Sequence, residues 1–292
     1  MEAEKIFEKG CLVQLTIHCW EGSKKIPKKI AMEALGSEWA RATKDIVDPE
    51  KLEPMRSIRT RAIQFLNKYS LPCPIRGVRM VSFDAISTLD EGFKGFQEEM
   101  DEAVEKFAPE YPGLREAARE VLGPILWNEM DYPSEINSKF GIEWRFFVIS
   151  SPENNSLLSP ELVAREREKF LETMQETREM GILALRTEMK TLLDNAIDKL
   201  VPKEDGTMKR VFKSTMKENF VEFFDTFKAR NIFEDQELSK ILEEAKKVIE
   251  DVDIDLIKSD EQFRDDIKEE MKSVASLLEQ CMEKAPKRKL RL

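Results

Sequence analysis

The sequence predicts an α+β fold that is predominantly helical, in which helices flank a small sheet of about three strands. Three observations predict this class. A short stretch near the N-terminus alternates apolar and polar residues, and long stretches, most of them after residue 160, repeat apolar residues at steps of three and four. Charged residues make up 36% of the chain and hydrophobic residues 41%, a balance that suits amphipathic helices with charged outer faces.

The first predicted strand lies in CLVQLTIHCW, residues 11–20, which contains the only histidine of the chain. Every second residue of this stretch is apolar, namely Cys11, Val13, Leu15, Ile17 and Cys19. Successive side chains of a strand point to opposite faces, so His18 and Cys19 cannot join in one tetrahedral metal site. The stretch therefore predicts a half-buried strand whose cysteines lie in the core and bind no metal.

Four helices are predicted in the first half of the chain from apolar residues at helical spacing. They cover residues 31–43, 49–69, 86–107 and 114–126. The second begins where Asp48 precedes Pro49, an N-cap followed by proline at the first helical position. Residues 132–141 predict a single helical turn that Gly141 ends.

Two further strands are predicted at 75–83 and 142–150, where β-branched and aromatic residues are frequent. The first of these is expected to pair with the strand at 11–20. In the second, Phe147 and Ile149 make the otherwise polar face apolar toward the end of the strand. Because both faces then carry apolar residues, this strand is expected to lie in the interior of the sheet.

The chain beyond residue 159 is predicted to be entirely helical. One helix covers 160–200 unless Gly181 interrupts it, and three later apolar stripes cover 212–227, 238–252 and 263–281. A turn at 203–206 is expected to join the first two helices into a hairpin, and a capping-box match at 259–262 is expected to start the last one.

These elements predict two domains. Residues 1–158 are expected to form the α+β domain with the small sheet, and residues 159–292 a helical bundle or coiled-coil stalk with a basic tail. Apolar stripes of this length need a partner, which the hairpin or a second subunit supplies, so the sequence leaves a homo-oligomer open.

Charge and cysteine content narrow the classes of function. A net charge of -10 argues against a protein that coats nucleic acid or an anionic membrane, since both need a basic surface. Only the C-terminal KAPKRKLRL, with five basic residues, offers a contact for nucleic acid or an acidic protein, and a solvated terminus is the favoured interpretation. No CxxC pair, signal-like N-terminus or membrane-length apolar run occurs, which predicts a cytoplasmic protein.

Motifs for catalysis are weak. The phosphate-binding patterns GxxxxGK[ST] and GxGxxG are absent, and a single histidine excludes histidine-cluster metal sites, so no cofactor is predicted. An all-carboxylate Mg²⁺ site stays open, because aspartate and glutamate are plentiful. The sharpest pattern is Asp131 followed by Glu143 and Arg145 on a predicted strand, which resembles the carboxylates and lysine of a metal-dependent nuclease. Arginine is a poor substitute for that lysine because it cannot be deprotonated. The favoured interpretation of Glu143 and Arg145 is a same-face pair on a polar strand face.

Four stretches carry a resemblance to a known family: GCLVQLTIHCWEGSKK at 10–25, IVDPEKL at 46–52, LPCPIRGVRMV at 71–81 and YPSEINSKFGIEW at 132–144. Together they resemble a family of uncharacterised bacterial and phage proteins that is classified as a domain of unknown function. The resemblance covers roughly the first half of the chain. It implies a gene neighbourhood with MoxR-like or cobaltochelatase-like AAA ATPases, and it supplies no catalytic residues.

The sequence therefore leaves two classes of function open. The favoured hypothesis is a non-enzymatic structural or adaptor protein that acts through helical surfaces, with an AAA ATPase as the partner that the resemblance implies. The alternative is a metal-dependent nucleic-acid-processing enzyme that uses Asp131 and Glu143.

Overall fold

The structure is a computed structural model that describes residues 8–150, 159–201 and 214–283. It is an α+β fold, 70% helical, with a small antiparallel sheet, as the sequence predicts. The predicted turn at 203–206, the start of the stripe at Phe212 and the basic tail at 284–292 lie outside the described residues.

The described helices and strands follow one another along the chain. In order they are β1 (Gly10–His18), β2 (Ser23–Lys25), α1 (Lys28–Leu35), β3 (Thr43–Asp45), α2 (Glu53–Tyr69), β4 (Leu71–Pro72), β5 (Arg79–Ser82), α3 (Ile86–Phe107), α4 (Tyr111–Leu126), β6 (Gly141–Phe147), α5 (Pro160–Leu200), α6 (Ser214–Arg230), α7 (Gln236–Glu250), α8 (Ile254–Ser259) and α9 (Glu261–Glu283). Short 3₁₀ turns lie at Pro49–Leu52, Phe83–Ala85, Glu129–Asp131 and Asn137–Lys139.

The main sheet has the strand order β4-β5-β1-β6, and β2 and β3 form a separate two-stranded ladder. The predicted pairing of the strand at 75–83 with the first strand is confirmed, since β5 lies beside β1. The prediction that the strand at 142–150 is interior is wrong, because β6 lies at the edge of the sheet. Apolar residues on both faces of a strand indicate what packs above and below it, and they carry no information about its neighbours within the sheet.

The helix predicted at 31–43 is too long. The helix α1 ends at Leu35 because Gly36 adopts a left-handed conformation, with φ 67°, and its N–H donates to the Met32 carbonyl. This is a common way for a helix to end. The chain then continues into β3, which pairs antiparallel with β2.

The chain forms two compact units, each built from discontinuous stretches. We call one the helical unit; it contains the described residues of 1–12, 69–85 and 147–292. We call the other the mixed unit; it contains residues 13–68 and 86–146. The domain boundary expected at 158 lies outside the described residues, and the predicted division of the chain there stays a prediction.

The mixed unit packs α2, α3 and α4 around its own core. Buried residues of this core include Met55, Ile58, Met100, Phe107 and Tyr111, and Leu15 and Ile17 of β1 pack against it. In α4, Gly123 has a non-helical conformation, with φ 62°, so the helix is kinked just before Pro124. The kink follows from the missing N–H and the steric bulk of proline.

The helical unit packs α5 to α9 around a second core, in which α5 contacts α6 and α9, and α9 contacts α7 and α8. The predicted start of α5 is confirmed, since the Ser159 hydroxyl accepts from the Leu162 N–H at 3.3 Å. The predicted capping box at 259–262 is wrong. Ser259 ends the unpredicted helix α8, and the Asp260 carboxylate accepts from the Phe263 N–H at 3.0 Å at the start of α9.

Gly181 does not interrupt α5, because the helix continues through it to Leu200. The residue is buried, and a Cβ atom placed on it would lie 2.3 Å from Cε2 of Phe233. Glycine is therefore the residue that lets the Phe233 ring pack directly against the α5 backbone.

Replacing Gly181 with alanine is expected to destabilise the protein by about 1–3 kcal/mol, because the added methyl group overpacks the contact with Phe233. Urea unfolding measures the change. The matched control is Gly95→Ala in α3, where no atom beyond the adjacent residues and the backbone of the same helix lies within 4 Å of the added carbon. That change is expected to stabilise by about 0.5–1 kcal/mol, since alanine favours the helix over glycine. Equal midpoints for the two variants would contradict the role given to Gly181.

Candidate functional site

Asp131, the first residue of the predicted nuclease-like pattern, is held by a lysine. Its carboxylate lies 2.6 Å from Nζ of Lys44, whose side chain is almost fully buried, and the same ammonium group donates to the Leu126 carbonyl. This ion pair links β3 to the 3₁₀ turn Glu129–Asp131. The carboxylate of Asp131 therefore balances a buried positive charge within the mixed unit.

Glu143 and Arg145 lie exposed on β6, as the interpretation of a polar strand face expects. In the part of the chain that the structure describes, no group of three or more histidine, cysteine, aspartate or glutamate side chains is placed to hold a metal ion. The catalytic use of Asp131, Glu143 and Arg145 stays a prediction.

The histidine and the two cysteines of the first predicted strand differ in their exposure. His18 is exposed at the end of β1, while Cys11 is buried and Cys19 is half-buried. Burial raises the pKa of both thiols above the ordinary value. Both are therefore protonated at neutral pH, and a protonated thiol is a poor nucleophile.

A surface groove lies between α7 and α9 of the helical unit, and we call it the α7–α9 groove. Its volume is about 250 Å³, and it is lined by Glu237, Lys240, Ile241, Glu244, Leu277, Gln280 and Cys281. The lining residues recur at steps of three and four on both helices, which places them along one side of each helix. Ile241, Leu277 and Cys281 supply an apolar floor, and the charged side chains of α7 supply a largely acidic rim.

A buried arginine fixes the helices that form this groove. The Arg186 guanidinium of α5 donates from Nε and Nη2 to the two carboxylate oxygens of Asp235, at 2.7 and 2.9 Å. Its Nη1 donates to the Cys281 carbonyl at 2.7 Å, and Nη2 also donates to Glu237 at 3.1 Å. The Asp235 carboxylate in turn accepts from the Leu238 N–H and so caps α7. One side chain of α5 thus ties the start of α7 to the end of α9.

The charges of this network are fixed at neutral pH. Hydrogen bonding to Asp235 raises the pKa of Arg186, so that its guanidinium stays charged. Burial, followed by the hydrogen bond to Glu237, raises the pKa of Cys281 to about 11. The Cys281 thiol donates to Glu237 at 3.1 Å, and this bond and Arg186 hold the pKa of Glu237 below its ordinary value. The groove therefore presents a carboxylate beside a neutral thiol, which suits binding better than nucleophilic chemistry.

The sequence interpretation missed Arg186, Asp235 and Glu237, although two signals were present. Arg186 occupies a position of the apolar stripe of α5, four residues after Ile182 and three before Met189. A charged residue in such a position needs a buried partner. Asp235 stands directly before a helix, where aspartate is a favoured N-cap.

The groove lies in the most acidic part of the chain. Residues 234–283 contain 17 acidic and seven basic residues, so this stretch accounts for the whole net charge of -10. Elsewhere the acidic and basic residues balance. The stretch that contains α7 and α9 is therefore strongly negative and attracts basic groups at low ionic strength.

Comparison with known proteins identifies a family. No curated protein and no solved structure matches the chain. None of the described helices is long and apolar enough to cross a membrane. Residues 7–181 match the sequence profile of the family described as protein of unknown function (DUF3150), and because this match covers more than half of the sequence, the chain belongs to that family.

Proposed function

We propose that the protein is a non-enzymatic structural or adaptor protein that acts through the α7–α9 groove of the helical unit. The observation that carries the proposal is the groove with an apolar floor and an acidic rim, in a stretch that holds the whole net charge. Its volume of about 250 Å³ has room for one or two apolar side chains of a partner. Small-molecule pockets are usually larger, on the order of 300–1,000 Å³.

The shape and charge of the groove define the partner segment. Two parallel rows of side chains with an apolar floor suit an amphipathic helix that inserts apolar residues between α7 and α9. Glu237 and Glu244 on the rim favour lysine and arginine on either side of those apolar residues. We therefore propose a partner segment that is basic and helical.

We propose that this partner is an AAA ATPase of the MoxR-like or cobaltochelatase-like type, which the family resemblance implies. The chain lacks a phosphate-binding loop, so work driven by nucleotide hydrolysis has to be supplied by another protein. The free cysteines suit a cytoplasmic setting for such a complex. Assembly of the chain into a homo-oligomer or coiled coil remains compatible with this role.

Co-expression with a MoxR-like or cobaltochelatase-like AAA ATPase, followed by affinity capture, tests the proposal. The ATPase is expected to be retained at about 50 mM salt and largely lost at about 500 mM, because screening weakens contacts between exposed charges. A tagged protein of similar size and acidity serves as the control for nonspecific capture. Absence of the ATPase at low salt would refute the proposed partner, and salt-independent capture would refute the acidic face as its contact.

A further inference from the structure

We propose that Arg79 of β5 and Arg230 of α6 form a binding site for a small oxyanion of the phosphate class. Both arginines belong to the helical unit, and neither lines the α7–α9 groove. The inference therefore does not depend on the proposed docking function, and the two can fail separately.

The packing of β4, β5 and α6 brings the two arginines into one region. The strand β5 contacts α6 and pairs with β4, whose Leu71 lies beside Gly181 of α5. Phe233, three residues after Arg230, packs against the same glycine. Burial, and after it the charge of Arg230, lowers the pKa of Arg79, so the two guanidinium groups are near enough to repel each other.

Arg230 is buried and has one carboxylate partner. Its side chain is 3% exposed, and Nη1 and Nη2 donate to Glu188 at 2.6 and 3.2 Å. The Nη2 atom also donates to the Thr226 hydroxyl at 2.9 Å. The Nε atom is buried as well, but none of the described residues accepts a hydrogen bond from it. A buried donor without an acceptor carries the full cost of its desolvation, which a bound acceptor would remove.

Arg79 has no acidic partner within the described part of the chain. The residue is half-buried, its Nε donates to the Ser70 hydroxyl at 2.6 Å, and its Nη2 donates to the Ser70 carbonyl at 3.4 Å. Both acceptors are neutral, and neither compensates the charge of the guanidinium. Arg79 and Arg230 supply two positive charges and Glu188 supplies one negative charge, so the cluster keeps an excess positive charge in a region where burial makes it costly.

An oxyanion matches this set of groups. A guanidinium presents a planar fork of N–H donors that fits the oxygens of phosphate, and such charge-assisted hydrogen bonds are stronger than neutral ones. The donors that remain for a ligand are Nε of Arg230 and Nη1 of Arg79, and the anion supplies the counter-charge that Arg79 lacks. Because Arg79 is half-buried, a ligand can enter from its side.

Calorimetric titration of the full-length protein with inorganic phosphate at constant ionic strength tests the site. Arg79→Gln is expected to weaken binding at least about tenfold, because a charge-assisted hydrogen bond is lost. The matched control Arg76→Gln, an exposed arginine three residues earlier, is expected to bind like the wild type. Glu188→Gln is expected to bind about fivefold more tightly, since it adds one positive charge to the cluster. No binding to the wild type, or equal losses in Arg79→Gln and Arg76→Gln, would overturn the proposal.

Glycerol 3-phosphate is the second probe in the same titration. Binding of both compounds assigns the site to a phosphoryl group, free or carried by a larger molecule, whereas binding of inorganic phosphate alone assigns it to the free ion. Equal affinity of glycerol 3-phosphate for the wild type and Arg79→Gln would contradict the role given to Arg79.

Urea unfolding gives a readout that a purely structural arginine would not move. In chloride, Arg79→Gln is expected to be at least as stable as the wild type, because it removes a positive charge near Arg230. Exchanging chloride for phosphate at the same ionic strength is expected to raise the urea midpoints of the wild type and Arg76→Gln more than that of Arg79→Gln, since a ligand stabilises the folded state that binds it. The general stabilising effect of phosphate acts on all three proteins. Equal gains in all three, or the same loss for Arg79→Gln in both salts, would show that Arg79 holds no anion.

Discussion

Replacing Arg186 with methionine is expected to destabilise the protein by about 3–5 kcal/mol, the cost of removing one partner of a buried ion pair. The side chains of Arg186 and Asp235 are 8% and 2% exposed. Without the guanidinium, the carboxylate of Asp235 stays buried with no counter-charge, and the Cys281 carbonyl loses its donor. Urea denaturation followed by circular dichroism measures the loss.

Two further variants make this test specific. Arg165→Met changes an exposed arginine of the same helix, with a 64% exposed side chain, and is expected to alter stability by less than about 0.5 kcal/mol. The double variant Arg186→Met/Asp235→Asn keeps a side-chain oxygen to cap α7 and removes the orphaned charge, so it is expected to recover part of the loss. If Arg186→Met behaves like Arg165→Met, the buried network does not hold the groove helices together.

The core of the helical unit includes residues from the first half of the chain, and for this reason surface variants are better probes of function than truncations. Residues Leu12, Leu71 and Met80 share the core of the helical unit with α5 to α9. Cutting the chain after residue 158 would therefore expose this core and confound any loss of binding with loss of structure. Point changes at exposed positions of α7 and α9 avoid that problem.

The parts of the fold that the sequence predicted are those set by local periodicity. Alternation identified β1, and steps of three and four identified α3 and α5; whether α5 continues through Gly181 was left open. The sequence did not predict the short elements β4 and α8, because a two-residue strand and a six-residue helix are too short to show a hydrophobic period. Leu12 lies on the polar parity of β1 yet is fully buried, because this part of the strand is covered on both faces.

The candidate site was harder to predict because it depends on which helices become neighbours. Glu237 and Cys281 are 44 residues apart in the sequence, and their hydrogen bond exists only because α7 packs against α9. Hydrophobic stripes predict that a helix has a buried face, but several pairings of the same stripes are possible. The charge of the stretch 234–283 was visible in the sequence, whereas the apolar floor that gives it a binding shape was not.

A pair of leucine variants tests most directly whether the α7–α9 groove is the proposed docking surface. Leu277 lies on the groove floor and is 40% exposed, while Leu256 lies on α8, outside the groove lining, and is 44% exposed. At either position, the substitution replaces a partly exposed leucine with a charged aspartate. Urea midpoints close to that of the wild type confirm that both variants are folded. Only Leu277→Asp places a charge where an apolar anchor of the partner would insert.

The decisive measurement is the dissociation constant of the proposed AAA ATPase partner for the wild type, Leu277→Asp and Leu256→Asp, by calorimetry at low salt. Binding to Leu277→Asp is expected to weaken at least about tenfold, equivalent to about 1.4 kcal/mol. Binding to Leu256→Asp is expected to stay within about twofold of the wild type, as for a surface position away from the contact. Equal affinities for all three proteins, or a larger loss for Leu256→Asp, would show that the partner does not dock in the α7–α9 groove.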